Sequence, residues 1–330
     1  TLGLKQAGFK VIGAVDNNAL AVTTYKKNHP DAIVWETDIR KLDTLVVKKK
    51  LDLKKGTLDL LAGCPPCQGF STLRTLNGAL NIDDHRNDLL FEFFRFVEDL
   101  LPRTVMIENV PGLSDDKRFA TFYRKMDKLG YKGEYCILNA ADFGVPQRRR
   151  RLIYLAGLDV EVRFSKPVKK HKTVRDTIGS LPPSGKSGDY LHDIQERHTP
   201  RVQNLIRRIP KDGGSRSDLC QKIQLNCHKK CNGFKDVYGR MAWDDVAPTI
   251  TGGCFNPSKG RFLHPEQDRA ITLREAALLQ GFPPKYYFSI DKGKSNVAVM
   301  IGNALPPPLI RKHARVIYYQ LLSFRCNFHK

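Results

Sequence analysis

Acidic residues are scarce in this chain: 34 Asp and Glu face 55 Lys and Arg, a net charge of +21 over 330 residues. That deficit excludes an acidic, solvating protein and favours a polyanionic partner, since neutralised phosphates release their counterions. Long apolar runs are missing too. No stretch approaches the ~18 apolar residues of a membrane span, and no secretory leader is visible. Eight cysteines without such a leader point to free thiols in a reducing compartment rather than a disulfide framework. Internal repeats and low-complexity tracts are also absent. What remains is an ordinary globular composition, long enough for one large domain or two smaller ones.

The excess charge is uneven. Residues 161–240 hold 18 Lys/Arg against 8 Asp/Glu, a net of +10, which reads either as a nucleic-acid surface or as a solvated basic face. Around Cys64-Pro65-Pro66-Cys67 an apolar run breaks at Gly63 and a Pro-Pro step, which withdraws two backbone donors and forces the chain out of any sheet. Cys67 is then held at the carboxyl end of a strand, where open α/β sheets place their chemistry. Two packing cysteines or a redox Cys-x-x-Cys are the other readings, the latter disfavoured by the two prolines. Cys220, Cys227, His228 and Cys231 match no common zinc spacing, so no metal site is expected.

Residues 1–155 alternate between strand-like and helix-like patterns. Strands are expected near 11–15, 33–35, 58–62, 104–107, 135–139 and 152–156, with helices at about 18–28, 87–101 and 117–129. The repeated β-α-β order predicts a doubly wound, mostly parallel α/β sheet. Asp16, Asp38, Cys67 and Glu108 then share one rim, unless the acids merely cap the following helices. From about 165 to 265 prolines and glycines dominate, and a second, smaller, irregular β-rich domain is expected. The reading divides the chain into residues 1–172 plus 285–330 and residues 173–284.

Pro66-Cys67-Gln68, Glu108-Asn109-Val110, Gln147-Arg148-Arg149-Arg150-Arg151 and Gly302-Asn303 occur in that order. Together they resemble the DNA (cytosine-5)-methyltransferases, bacterial modification enzymes above all, over nearly the whole chain. The resemblance implies a Rossmann-like, S-adenosylmethionine-dependent catalytic domain and a target-recognition domain at 173–284. Cys67 would attack carbon 6 of a flipped-out cytosine, Glu108 would serve ring nitrogen 3, and Arg149 would hold the base carbonyl, with Arg151 supporting the loop and DNA contacts. Asp16, Asn17, Asp38, Ile39, Gly63, Pro66, Leu89, Asn303 and Ala304 would bind the cofactor. Gln68, Ser71, Arg74, Arg86, Arg240, Thr249 and Ile250 would contact DNA. The family's Gly-rich loop has no counterpart in these residues, and Asn17 stands where an adenine-stacking aromatic is usual. The implied setting is a monomer in the bacterial cytoplasm, nucleoid-associated, acting on double-stranded DNA, alone or beside a cognate restriction endonuclease. RNA cytosine methylation and a catalytically silent DNA-binding module are the alternatives.

Overall fold

The computed structural model describes residues 1–66, 89–194, 196–220 and 236–328. The chain falls into two units: Thr1–Asn139, Arg150–Pro167 and Ile310–Lys330 form the first, Ala140–Arg149 and Val168–Leu309 the second. This division differs from the expected boundaries at residues 140–149, 168–172 and 285–309. Hydrogen bonds account for the first difference, because Gln147 and Arg149 bond to partners in the second unit.

In the first unit α1 (Leu2–Ala7) stops at Gly8, whose φ of 113° suits only glycine well. Then come β1 (Gly13–Asp16), α2 (Ala19–Asn28), β2 (Ile33–Glu36), α3 (Thr44–Leu51) and β3 (Leu60–Gly63). Side chains of Asn18 and Asp43 cap α2 and α3 by accepting from backbone N–H groups two or three residues on. After these come α4 (Leu89–Leu100), β4 (Thr104–Asn109), α5 (Lys117–Lys128), β5 (Lys132–Asn139) and β6 (Arg150–Gly157).

The strand pairing corrects the expectation. Among the described residues β1 and β2 form a parallel ladder of their own, and β3-β4-β6-β5 form a second sheet. Only β3–β4 is parallel in that second sheet; β6 runs antiparallel to both β4 and β5. The cause lies in the connection: a parallel pair needs a helical crossover, whereas β5 reaches β6 through residues 140–149, which hold one short 3₁₀ turn. Asp16 ends a strand of the first ladder, and Glu108 lies in a strand of the second. Phe93, Phe94 and Val97 of α4, Phe119, Phe122 and Met126 of α5, and Val105, Ile107, Leu152 and Tyr154 of the sheet build the main core. The other flank of α4, Phe96 and Leu100, packs with Leu42, Val47, Trp35 and Ile39.

The second unit is not β-rich among its described residues. It carries α6 (Arg175–Ile178), α7 (Tyr190–Asp193), α8 (Pro200–Arg208), α9 (Leu273–Leu279), α10 (Lys294–Asn303) and the start of α11 (Pro307–Phe328), with isolated bridges in place of strands. All seven residues of α9 are buried, and a Thr272–Glu275 capping box starts it. No helix among the described residues is long and apolar enough to cross a membrane.

Candidate active site

The carboxyl ends of β3 and β4 lie side by side, with Gly63 opposite Ile107. Cys64 and Glu108 are the next residues on each strand. A side chain at Gly63 would lie 2.5 Å from the Phe93 ring, so glycine is required there by packing. Asn109 fixes the loop that follows: its amide donates to the Pro65 carbonyl at 2.9 Å while its Oδ1 accepts from Val110 N at 2.8 Å. Pro65, Pro66, Leu90, Asn109 and Leu113 line a small hollow beside it. Cys64 is solvent-accessible, yet desolvation by the surrounding protein, and then the charge of Glu108, push its thiol well above the ordinary value. Desolvation and the Glu108 carboxylate both favour the protonated form of this thiol.

Glu108 and Arg151 meet directly. Glu108 lies opposite Ile153 in the β4–β6 ladder, so Arg151, two residues along β6, projects on the same face. Its Nε lies 2.8 Å from the Glu108 carboxylate, both side chains being mostly buried. Cys67, Gln68, Ser71, Arg74 and Arg86 lie outside the described residues.

Asp16 and Asn17 are exposed at the end of β1, and the Asp16 carboxylate accepts from Asn18 N at 2.8 Å. Glu36, in register with Asp16 on β2, is exposed as well. Glu36 lies one residue past the strand expected at 33–35, and no local pattern marks it. Asp38 starts the 3₁₀ turn Ile39–Lys41, accepting from Arg40 N at 3.0 Å and pairing with its guanidinium. Those bonds hold the Asp38 carboxyl down at about 2. Pro66 is exposed and Leu89 half-buried at the start of α4. An exposed carboxylate for a ribose diol, beside a turn that carries a half-buried apolar residue, is a donor set that fits an adenosine. In the second unit, Asn303 is exposed at the end of α10 and Ala304 follows it.

The second unit corrects three assignments. Arg149 is 4% exposed and donates to the carbonyls of Ile250 at 3.0 Å and Gly302 at 2.8 Å, so it braces backbone. Ile250 is completely buried, its N–H donating to Gln147 Oε1 at 3.0 Å, and offers no surface to DNA. Arg240 is also completely buried. It donates to the carbonyls of Ile206, Ile209, His264 and Gln267 and to the Asp268 carboxylate. Thr249 is half-buried and donates its hydroxyl to the Arg148 carbonyl at 2.7 Å. Gln147 donates to Gln280 Oε1 at 2.6 Å, and Gln280 in turn bonds the Ala304 carbonyl. The motif segments 147–149, 249–250 and 302–304 thus meet in one buried polar knot, held together by Gln280, which the sequence reading does not single out. Gly302 is forced by this contact: a Cβ there would sit 2.3 Å from the Gly252 nitrogen.

Solved structures share this architecture. A candidate DNA modification methyltransferase encoded within an Escherichia coli prophage superposes with a TM-score of 0.70 at 24% identity, over 98% of this chain and 96% of that one. A DNMT2 from Spodoptera frugiperda gives a TM-score of 0.60 at 19% identity, over 96% and 95%. These likenesses show a shared fold. The profile of the C-5 cytosine-specific DNA methylases matches residues 1–319. Type II methylase M.HgiDII of Herpetosiphon aurantiacus is 35% identical over 96% of this chain and 91% of its own. Type II methyltransferase M1.HphI of Haemophilus parahaemolyticus is 32% identical over 96% and 83%. The chain belongs to the C-5 cytosine-specific DNA methylase family. It is a DNA (cytosine-5) methyltransferase, and its methyl donor is S-adenosylmethionine.

Proposed function

We propose that Cys67, Glu108 and Arg151 form the reacting centre and that Arg149 is a brace outside it. The observation that carries this reading is the Glu108–Arg151 ion pair between β4 and β6, with β4 paired to β3, the strand that runs into Cys64-Pro65-Pro66 and on in sequence to Cys67. Cytosine carbon 5 is too weak a nucleophile to take a methyl group unaided. The Cys67 thiolate adds to carbon 6, and the ring's electrons move to carbon 5. S-adenosylmethionine, when bound, supplies an electrophilic methyl group to that carbon. Loss of the carbon-5 proton and departure of the Cys67 thiolate then restore the aromatic ring. Glu108 hydrogen-bonds ring nitrogen 3, where charge changes as the thiolate adds, and Arg151 orients Glu108 and offers a cation to the base carbonyl. Asp16 takes the ribose hydroxyls. The turn shaped by Asp38 presents Ile39 to the adenine, with Asn17, Gly63, Pro66 and Leu89 beside it and Asn303 and Ala304 toward the methionine end.

The substrate of this reading is duplex DNA at a defined sequence, read by side chains of residues 173–284. Its charge favours phosphate contact, and Ser71, Arg74, Arg86, Gln68 and Thr249 remain the proposed DNA contacts. Type II relatives support a place in a restriction–modification pair, beside an endonuclease of the same specificity, for a monomer in the bacterial cytoplasm. The test is Glu108→Gln: turnover falls by about 10²-fold or more with DNA affinity retained. Unchanged turnover removes Glu108 from the mechanism.

A further inference from the structure

We infer that Arg95 is a positioning residue for the cofactor, clamping the adenine-side turn onto helix α4. The inference rests on the assignment of Asp38, Ile39 and Gly63 to the S-adenosylmethionine site. Arg95 donates from Nη2 to the Ile39 carbonyl at 2.8 Å and from Nη1 to the Leu42 carbonyl at 3.1 Å. Its Nε donates to Glu92 Oε2 at 2.9 Å, one turn back on the same helix, which fixes the plane of the fork. A rigid guanidinium that spans two carbonyls sets both distance and angle, which a lysine ammonium does not. The turn it grips, Ile39–Lys41, is a single 3₁₀ turn capped by Asp38.

Helix α4 reaches a second cofactor segment at the same time. Phe93 lies against Gly63, so closely that no other residue fits there, while Phe96 and Leu100 pack with Ile39 and Leu42. Leu89 begins the same helix. One rigid element therefore sets the spacing between the end of β3 and the adenine-side turn. Apolar packing already holds α4 in place, and the Arg95 side chain is 33% exposed, so its contribution is to register more than to stability. Neither the sequence motifs nor the periodicity of α4 marks Arg95, because its partners are backbone carbonyls more than fifty residues away.

The test compares Arg95→Ala, Arg95→Gln and Arg95→Lys in the whole chain by calorimetric titration with S-adenosylhomocysteine. It adds steady-state kinetics in S-adenosylmethionine and binding to target duplex. The expected result is a dissociation constant and KM raised about tenfold in Arg95→Ala and less in Arg95→Lys, with kcat and duplex affinity within about twofold of the parent. Should Arg95→Ala fail to fold, the Lys and Gln variants carry the same comparison. Cofactor binding unchanged in the folded variants, with only the melting temperature lowered, overturns the clamp. Asp16→Ala and Ile39→Ala are measured alongside. If these weaken cofactor binding and the Arg95 variants do not, the clamp alone is wrong. If these too leave it intact, the cofactor assignment has failed and the clamp falls with it.

Discussion

Arg240 spends its guanidinium on four backbone carbonyls and Asp268, while Arg151 points its own at the Glu108 carboxylate. The two arginines should therefore fail in different ways. Arg240→Ala leaves those carbonyls and Asp268 without their buried partner, and urea unfolding should show a loss of about 3 kcal/mol or more. Duplex affinity per folded molecule should be unchanged; a selective loss of DNA binding in a stable Arg240→Ala protein would return Arg240 to the DNA surface. Arg151→Ala should behave in the opposite sense, with turnover reduced by about 10²-fold and folding little affected. Equal turnover in this variant and the parent would sever the ion pair from catalysis. At this scale the sequence is informative about residue type and weak about burial. Glu108 and Arg151 are legible from their motifs and from strand alternation. Arg240, Ile250 and Arg149 look like surface or site residues because nothing local tells a solvated guanidinium from one that braces a loop sequentially remote from it.

Helix α9 shows an element whose stability is tied to pH. Its Glu275 carboxyl is wholly buried; burial opposes its charge, but the paired Arg269 guanidinium wins and holds its pKa below the usual value. His264, 3.9 Å from Glu275, accepts from the N–H groups of Glu266 and Gln267. Burial, opposed by Glu275 and reinforced by Arg269 and Arg240, lowers it from 6.5 to about 4. Both folded values lie below their unfolded ones, so the unfolded chain binds more protons in acid. The contribution of His264 is complete above pH 6.5 and is lost as pH falls toward 4, by about 3 kcal/mol, whereas that of Glu275 is lost only below its ordinary value of 4.5. Urea midpoints measured between pH 7 and pH 4 should track that loss, and His264→Gln should flatten it. A midpoint independent of pH over that window would contradict the burial argument. Elements in the first unit are mostly legible from period and caps, down to the apolar stripe of α4. Helix α8 was legible in principle: Thr199 caps it, Pro200 opens it, and Val202, Leu205, Ile206 and Ile209 follow a helical period. A turn-rich composition on either side conceals that signal. The direction of β6 is a different matter, since antiparallel pairing follows from a connection that lacks a helix and leaves no local mark.

On the scale of the whole molecule, two units have divided the labour that the motifs announce. The first bears the Glu108–Arg151 edge and the acidic strand ends, while the second ties Gln147, Arg149, Ile250 and Gly302 into a buried knot. Four short motifs in order made the family legible, because covalent methylation of a carbon in an aromatic ring demands a thiolate, a carboxyl and a cation together. The DNA sequence recognised is not legible, since base readout depends on side chains set by loop geometry that no local pattern encodes. The central claim is that Cys67 attacks cytosine covalently. It is tested most directly by incubating the protein with S-adenosylmethionine and target duplex carrying 5-fluorocytosine, then separating the products under denaturing conditions. A fluorine at carbon 5 cannot leave as a proton does, so the account predicts a protein–DNA adduct that survives denaturation and vanishes in Cys67→Ser. An adduct that persists in Cys67→Ser, or methylation of ordinary cytosine with no adduct on the fluorinated duplex, would contradict it.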